Sequence, residues 1–353
     1  MASITIVGSG FTGATQCFFG SVGVTINLNA AGTSFTCIPP AGTGTVTIGI
    51  TSQYFATITG TGPLGYTYVG PPTTTALGTT MGPVAGGTSV VITGTNFYDR
   101  SSATFPGSTL PVAFGLTAST GGVITSTTSV TVLTPAFSVN GGIVPVNLNT
   151  PTGTASTLNY TYIALPTLTS TSPAGSSGPL VGGTTLRIIG TNLLTTIGVT
   201  MGGTVGATLI TIDSLGVTLS SPPSTSEGIK SIVVTTAGGT ASGISFTYVA
   251  VPSIASISPV GGLTGGGTVV TITGTKLSNP QYVLFGITAG TGLVSNATGV
   301  TLIATSPSSL STGLVDISVR TAGGTGTLPN AYTYVPPMVI TSVIPNRGPT
   351  GGG

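Results

Sequence analysis

The chain has 353 residues, of which six are Lys or Arg, four are Asp or Glu and none is His, for a formal net charge of +2. So few cations cannot build the basic stripe that nucleic acid requires, and no run of about 18 apolar residues is available to cross a membrane. A hydrophobic content of 39% with 3% charge also excludes disorder, which needs the reverse balance.

Alternating Thr, Val, Ile and Ser, broken by 57 Gly and 25 Pro, predicts strands and turns throughout, and no capped stretch of helical period interrupts them. The class is therefore all-β. The first strand, Ala2-Ser-Ile4-Thr-Ile6-Val-Gly8, ends in Gly8-Ser-Gly-Phe11. Next come Cys17-Phe-Phe-Gly20, Phe35-Thr-Cys37-Ile-Pro39 and a closing strand, Gly65-Tyr-Thr-Tyr-Val69. That closing strand returns as Asn159-Tyr-Thr-Tyr-Ile163, Ser245-Phe-Thr-Tyr-Val249 and Ala331-Tyr-Thr-Tyr-Val335, with Tyr68, Tyr162, Tyr248 and Tyr334 spaced by 94, 86 and 86 residues. A period of this size fits one sandwich domain. The expected boundaries are 1–69, 70–164, 165–250, 251–336 and a remainder, 337–353. Linkers of two or three residues between them restrain neighbouring domains.

Each later repeat opens with Pro, alternating apolar residues, Ser-Pro or a near equivalent, and a Gly-Gly-Thr turn. Gly94-Thr-Asn-Phe97, Gly190-Thr-Asn-Leu193 and Gly274-Thr-Lys-Leu277 match Gly8-Ser-Gly-Phe11. Eight residues beyond that apolar position stands another, Phe19, Phe105, Met201 or Phe285. On this spacing the longer second repeat carries its extra residues after Phe105, roughly in 108–122, as a surface loop.

Taken together, PSIASISPVGG, GGGTVVTITGTKL, VLFG, the Pro307 strand end and AGGTGTLPNAYTYV resemble an IPT/TIG domain, with residues 251–336 the strongest match. The resemblance covers nearly the whole chain. It implies tandem immunoglobulin-like β-sandwiches of a kind found in cell-surface receptors, transcription factors and bacterial and viral surface proteins, and it says little about function. Cys17 and Cys37 are similar in placement to the cysteine pair of receptor-type IPT domains, including those of plexins. That likeness implies a Cys17–Cys37 disulfide and an oxidising environment; two buried free thiols acting as small apolar residues are the other reading.

The four acids, Asp99, Asp213, Glu227 and Asp316, are scattered, and no His can activate a Ser, so the expectation is a protein that is not an enzyme and has no catalytic residues, cofactor or metal. Glu227 with Lys230 reads as a surface pair. The tyrosine pairs read as core.

The tail repeats the opening of a domain: Pro345 to Gly353 (PNRGPTGGG) parallels Pro259 to Gly267 (PVGGLTGGG). The first repeat begins directly at the strand that this turn would lead into, so the N-terminal sandwich is expected to lack its first strand. The donor segment comprises Met338, Val339, Ile340, Val343, Ile344, Pro345, Gly351, Gly352 and Gly353. The acceptor comprises Ile4, Ile6, Phe11, Phe19, Tyr66 and Tyr68. Donation between copies predicts a head-to-tail homopolymer with lateral filament contacts, a structural subunit of an extracellular or surface appendage. An adhesin or virion fibre stalk recognising a host glycan or protein is the alternative, and the same ends also fit a piece of a longer repeat array. The first thirty residues have no basic, apolar-cored leader, so the export route is left open.

Overall fold

The computed structural model describes residues 3–54, 58–59, 65–98, 108–213 and 215–352. Every regular element among them is a strand. The chain separates into two compact units, Met1–Tyr162 and Ile163–Gly353.

In the second unit, one sheet contains Ser253–Ser258, Val269–Thr275, Thr301–Thr305 and Thr291–Ser295, in that order. The sheet facing it contains Gly261–Leu263, Gly324–Val335, Gly313–Thr321, Tyr282–Phe285 and Thr288–Ala289. Strict alternation explains the sandwich: Val270 and Ile272 are buried while Val269 faces solvent, so each strand turns its apolar row towards the other sheet. Val283, Phe285, Ile317, Val319, Tyr332 and Tyr334 complete the core from the other side.

The opening segment of this sandwich serves both sheets. Ser253–Ser258 pairs antiparallel with Val269–Thr275, and Gly261–Leu263 then pairs parallel with Gly324–Val335. One segment therefore closes both sheet edges on the same side. Thr167–Ser172 and Ser177–Pro179 do the same for the preceding sandwich. In the first unit, Thr73–Leu77 borders Ser89–Thr95 and Met81–Pro83 borders Gly153–Ile163.

The closing tyrosine of each of these three sandwiches is pinned in the same way. Tyr162 donates its hydroxyl to Pro135 O at 2.9 Å, Tyr248 to Pro222 O at 2.6 Å and Tyr334 to Pro307 O at 2.9 Å. Each bond ties the last strand to the proline ending a strand of the opposite sheet, so a buried phenol spans the core without an orphaned hydroxyl.

Phe105 lies outside the described residues, and its assigned position belongs to another residue. Phe114 pairs with Val146 as Phe285 pairs with Ile317, and Gly115 and Gly286 after them have φ of 63° and 67°. The extra residues of the second repeat therefore precede Phe114, in the 17-residue step from Phe97 that takes 8 residues from Leu277 to Phe285, so of the expected 108–122 only the part before Phe114 can hold them. The ionic pairing also differs from expectation. Glu227 accepts from Lys276 Nζ at 2.7 Å, whereas Lys230 Nζ donates to Ser226 Oγ at 2.8 Å.

The N-terminal module contains β1 (Ile4–Val7), β2 (Ala14–Phe19), β3 (Val22–Leu28), β4 (Ser34–Cys37), β5 (Gly44–Ser52), β6 (Ile58–Thr59) and β7 (Gly65–Tyr68). These form one continuous sheet ordered β1-β4-β3-β2-β5-β6, with β7 also on β5. Among the described residues no strand lies on the outer edge of β1 or on the outer edge of β7. Those are the two edges that the opening segment covers in every other sandwich.

Candidate assembly site

Uncovered edges leave a strip of apolar side chains half in water. Ile4 and Ile6 on β1 are half-buried, as are Phe11 beyond it and Tyr66 and Tyr68 on β7. Their counterparts elsewhere are sealed: Val270, Ile272, Leu277 and Tyr332 are fully buried, and Tyr334 is 2% exposed. Phe19 differs from the other acceptor residues. It is buried beneath the strip, edge-on to Tyr66 with ring centroids 5.1 Å apart, and so forms the floor of the site. The core patterning of this module is intact, but no strand among the described residues covers it.

Departures from the repeat cluster at the same place. Asn96 and Asn192, with φ of 60° and 57°, each reach back with Nδ2 to hold the carbonyl two residues before the opening strand, Pro71 O at 2.9 Å and Leu165 O at 2.8 Å. The N-terminal module has Gly10 here, at φ 75°, and the fourth sandwich has Lys276, at φ 58°; both keep the left-handed turn without an Asn side chain to make the clasp.

Cys17 on β2 and Cys37 on β4 are both buried and are free thiols in this structure. Burial, followed by the neighbouring Cys37, pushes the Cys17 thiol up to about 12. Burial raises Cys37 as well, and the neighbouring Cys17 thiol opposes that shift. The pair lies behind the strip, where β3 passes from β2 to β4: Cys17 is opposite Val24 and Cys37 opposite Ile26.

The tail is the apolar complement of the strip. From Val335 to Gly352 every residue is exposed, including Met338 at 99%, Ile340 at 84%, Val343 at 66% and Ile344 at 89%. Ile340 and Val343 repeat the positions of Ile254 and Ile257, both 8% exposed, and Met338 that of the buried Pro252. Val339 and Ile344 repeat Ser253 and Ser258, which face solvent. Pro345 follows a cis peptide bond, as do Pro173 and Pro259. Gly352 closes a turn on Pro349 O, and Gly351 adjoins it. Gly353 lies outside the described residues. Elsewhere among the described residues no cluster of His, Cys, Asp or Glu could hold a metal, and no helix is long and apolar enough to cross a membrane.

The IPT/TIG domain family matches residues 72–162, 166–248 and 252–334. The chain belongs to that family. No curated protein sequence matches it. Among solved structures, the IPT/TIG chain is similar to the full extracellular region of plexin A4, at 13% identity and a TM-score of 0.35, over 95% of this chain and 48% of that one. It therefore spans about half the length of that plexin structure. It is also similar to SGBP-B of a xyloglucan utilisation locus in Bacteroides uniformis, at 21% identity and a TM-score of 0.23, over 47% of this chain and 49% of that one. A third likeness is to the Escherichia coli adhesin FdeC, at 12% identity and a TM-score of 0.27, over 74% of this chain and 99% of that one. Family membership rests on the domain match and brings with it the tandem immunoglobulin-like fold.

Proposed function

We propose that this IPT/TIG protein is a structural subunit of an extracellular or surface filament, assembled head to tail by strand donation. Residues 337–353 of one copy occupy the uncovered edges of the N-terminal module of the next. One observation supports this above the others: the half-buried strip of Ile4, Ile6, Phe11, Tyr66 and Tyr68 lies where the other sandwiches seat an opening segment, and the exposed tail carries such a segment.

The registers in the complete sandwich extend to the interface. Ile340 falls opposite Gly8 and Val343 opposite Ile6, as Ile254 and Ile257 fall opposite Gly274 and Ile272. Burying Met338, Ile340 and Val343 contributes roughly 5–8 kcal/mol. The unpaired N–H and C=O groups on β1 and β7 gain partners at the same time. Tail-to-head contact is heterologous, so it propagates into an open filament rather than closing a dimer. So low a charge density leaves little repulsion between packed copies.

Deleting residues 337–353 tests the reading. Electron microscopy and sedimentation velocity should show filaments for the full chain and monomers for the deleted one, and added peptide 337–353 should shorten the filaments. Filaments of normal length from the deleted chain would refute it.

A further inference from the structure

Nothing in its own chain requires Gly348 to be glycine. Its backbone is outside the left-handed region, and a methyl group there would meet nothing within 4 Å. In the complete sandwiches the equivalent position is different. It is occupied by Gly82, Gly178 and Gly262, at the centre of the short segment that covers the closing strand. A methyl group on Gly82 or Gly262 would collide with the hydroxyl of Tyr160 or Tyr332 and with that of Thr88 or Thr268, and on Gly178 it would collide with the Thr184 hydroxyl and reach Phe246 Cζ at 3.0 Å. The backbone there closes directly over the first ring of the Tyr-Thr-Tyr or Phe-Thr-Tyr strand. The Tyr160 and Tyr332 hydroxyls are sealed beneath it without a hydrogen-bond partner.

The turn after this glycine fixes the equivalence. Gly86, Gly182 and Gly266 have φ of 76°, 78° and 76°, and each donates its N–H to the residue three before it, at 3.0 Å. The tail already holds this turn: Gly352 has φ of 76° and donates to Pro349 O at 3.2 Å. Gly348 stands four residues before Gly352, as Gly262 stands four before Gly266. Tyr66 is the counterpart of Tyr332 in the N-terminal module, and its ring is half-exposed.

We infer that Gly348 sets the register of the donated tail, by letting the tail backbone close over the Tyr66 phenol of a second copy; this rests on the strand-donation reading above. The parallel register then places Arg347, Gly348 and Pro349 opposite Thr67, Tyr68 and Val69, as Gly261, Gly262 and Leu263 lie opposite Thr333, Tyr334 and Val335. Only a residue without Cβ fits over the ring. A tail shifted by one residue in either direction presents Arg347 or Pro349 there and is rejected.

The test compares Gly348→Ala with Gly265→Ala in the full chain. Gly265 lies in the fourth sandwich, outside the donor and acceptor segments, and an added Cβ there meets nothing within 4 Å. Sedimentation velocity should show head-to-tail association weakened about 10- to 100-fold by Gly348→Ala, the range expected for one overpacked methyl. Gly265→Ala should leave it unchanged. Labelled wild-type peptide 337–353 should still bind the Gly348→Ala chain, which shows its acceptor module intact. If wild type associates through its tail and Gly348→Ala associates equally well, or if Gly265→Ala weakens it as much, the register is overturned while donation stands. If association is absent in wild type, or survives deletion of residues 337–353, strand donation itself fails.

Discussion

Replacing Ile340 with Ala removes one of the tail side chains whose counterparts are buried in the complete sandwich, while leaving the folded body of the molecule alone. Ile340 is 84% exposed, and the residue whose place it takes, Ile254, is 8% exposed. Moving an Ile side chain through that change stabilises the assembled state by about 2–3 kcal/mol. Ala recovers a small part of this and leaves a void against Ile6 and Phe11, so the expected loss is about 2 kcal/mol, or about thirtyfold in Kd. Ile344 is the internal control. It is equally apolar and 89% exposed, but it takes the place of Ser258 on the solvent face. Ile344→Ala should change affinity by less than about twofold. Fluorescence anisotropy of labelled 337–353 peptides on the chain lacking its tail measures both. Equal effects from the two substitutions would mean that the tail adheres as an apolar segment without register, and the reasoning would fail.

Two further expectations concern the folded modules. Tyr334→Phe deletes the bond to Pro307 O and should destabilise its sandwich by about 1 kcal/mol, whereas Tyr332→Phe removes a buried hydroxyl with no partner and should be neutral or stabilising; urea unfolding of the two variants should separate them. For the thiols, the folded-state pKa of Cys17 is raised from 9.0 to about 12, so the contribution of the neutral thiol is present below the lower value and is lost as pH rises towards the upper one. Melting of the N-terminal module should therefore decline over that alkaline window, and Cys17→Ala should flatten the decline. An unchanged profile would show that the pair is not titrating in the fold.

Much of this was legible in sequence because the repeat is written in residues that geometry constrains. A Tyr-Thr-Tyr strand, a Gly-Thr-Asn corner and a Gly-Gly turn each require particular backbone or packing, so they recur at fixed spacing and place the sandwiches. Phe105 shows the limit. An aromatic eight residues past Phe97 satisfied the spacing, but the strand is fixed by its own pairing, and Phe114-Gly115 supplies both the inward ring and the left-handed glycine. Asking for glycine within two residues of the aromatic does not separate the candidates, since Gly107 lies two residues past Phe105. The distance to Pro135 does separate them, because Phe114 and Phe285 stand at nearly equal distances from their strand-ending prolines. The proline carbonyls that accept from Tyr162, Tyr248 and Tyr334 were also missed. Their signal was the recurring Pro 26 or 27 residues before the tyrosine. The partner of Glu227 was not readable at all, because Lys276 lies in the next repeat and nothing local marks it.

The N-terminal module holds its strands together along the side away from the two edges that no described strand covers. In the other sandwiches the two sheets are hydrogen-bonded separately. Here β3 belongs to both: its first half pairs with β2 from Phe19↔Val22 to Gln16↔Thr25, and its second half pairs with β4 from Ile26↔Cys37 to Leu28↔Phe35. Main-chain bonds therefore close one side of the module while β1 and β7 stay uncovered on the other. Cys17 and Cys37 flank the point where β3 crosses, each opposite a residue next to the crossing. A disulfide formed there by exchange with a small-molecule disulfide would pass the two thiol protons and two electrons to the oxidant, which leaves as two thiols, and it would staple the seam where β3 crosses from β2 to β4. Because both thiols are buried and their pKa values raised, exchange requires the module to open first. Such a staple would form while this module folds. On the strand-donation reading the two sides then divide the work: main-chain bonds within the chain hold the back, and the tail of a second copy would cover the front.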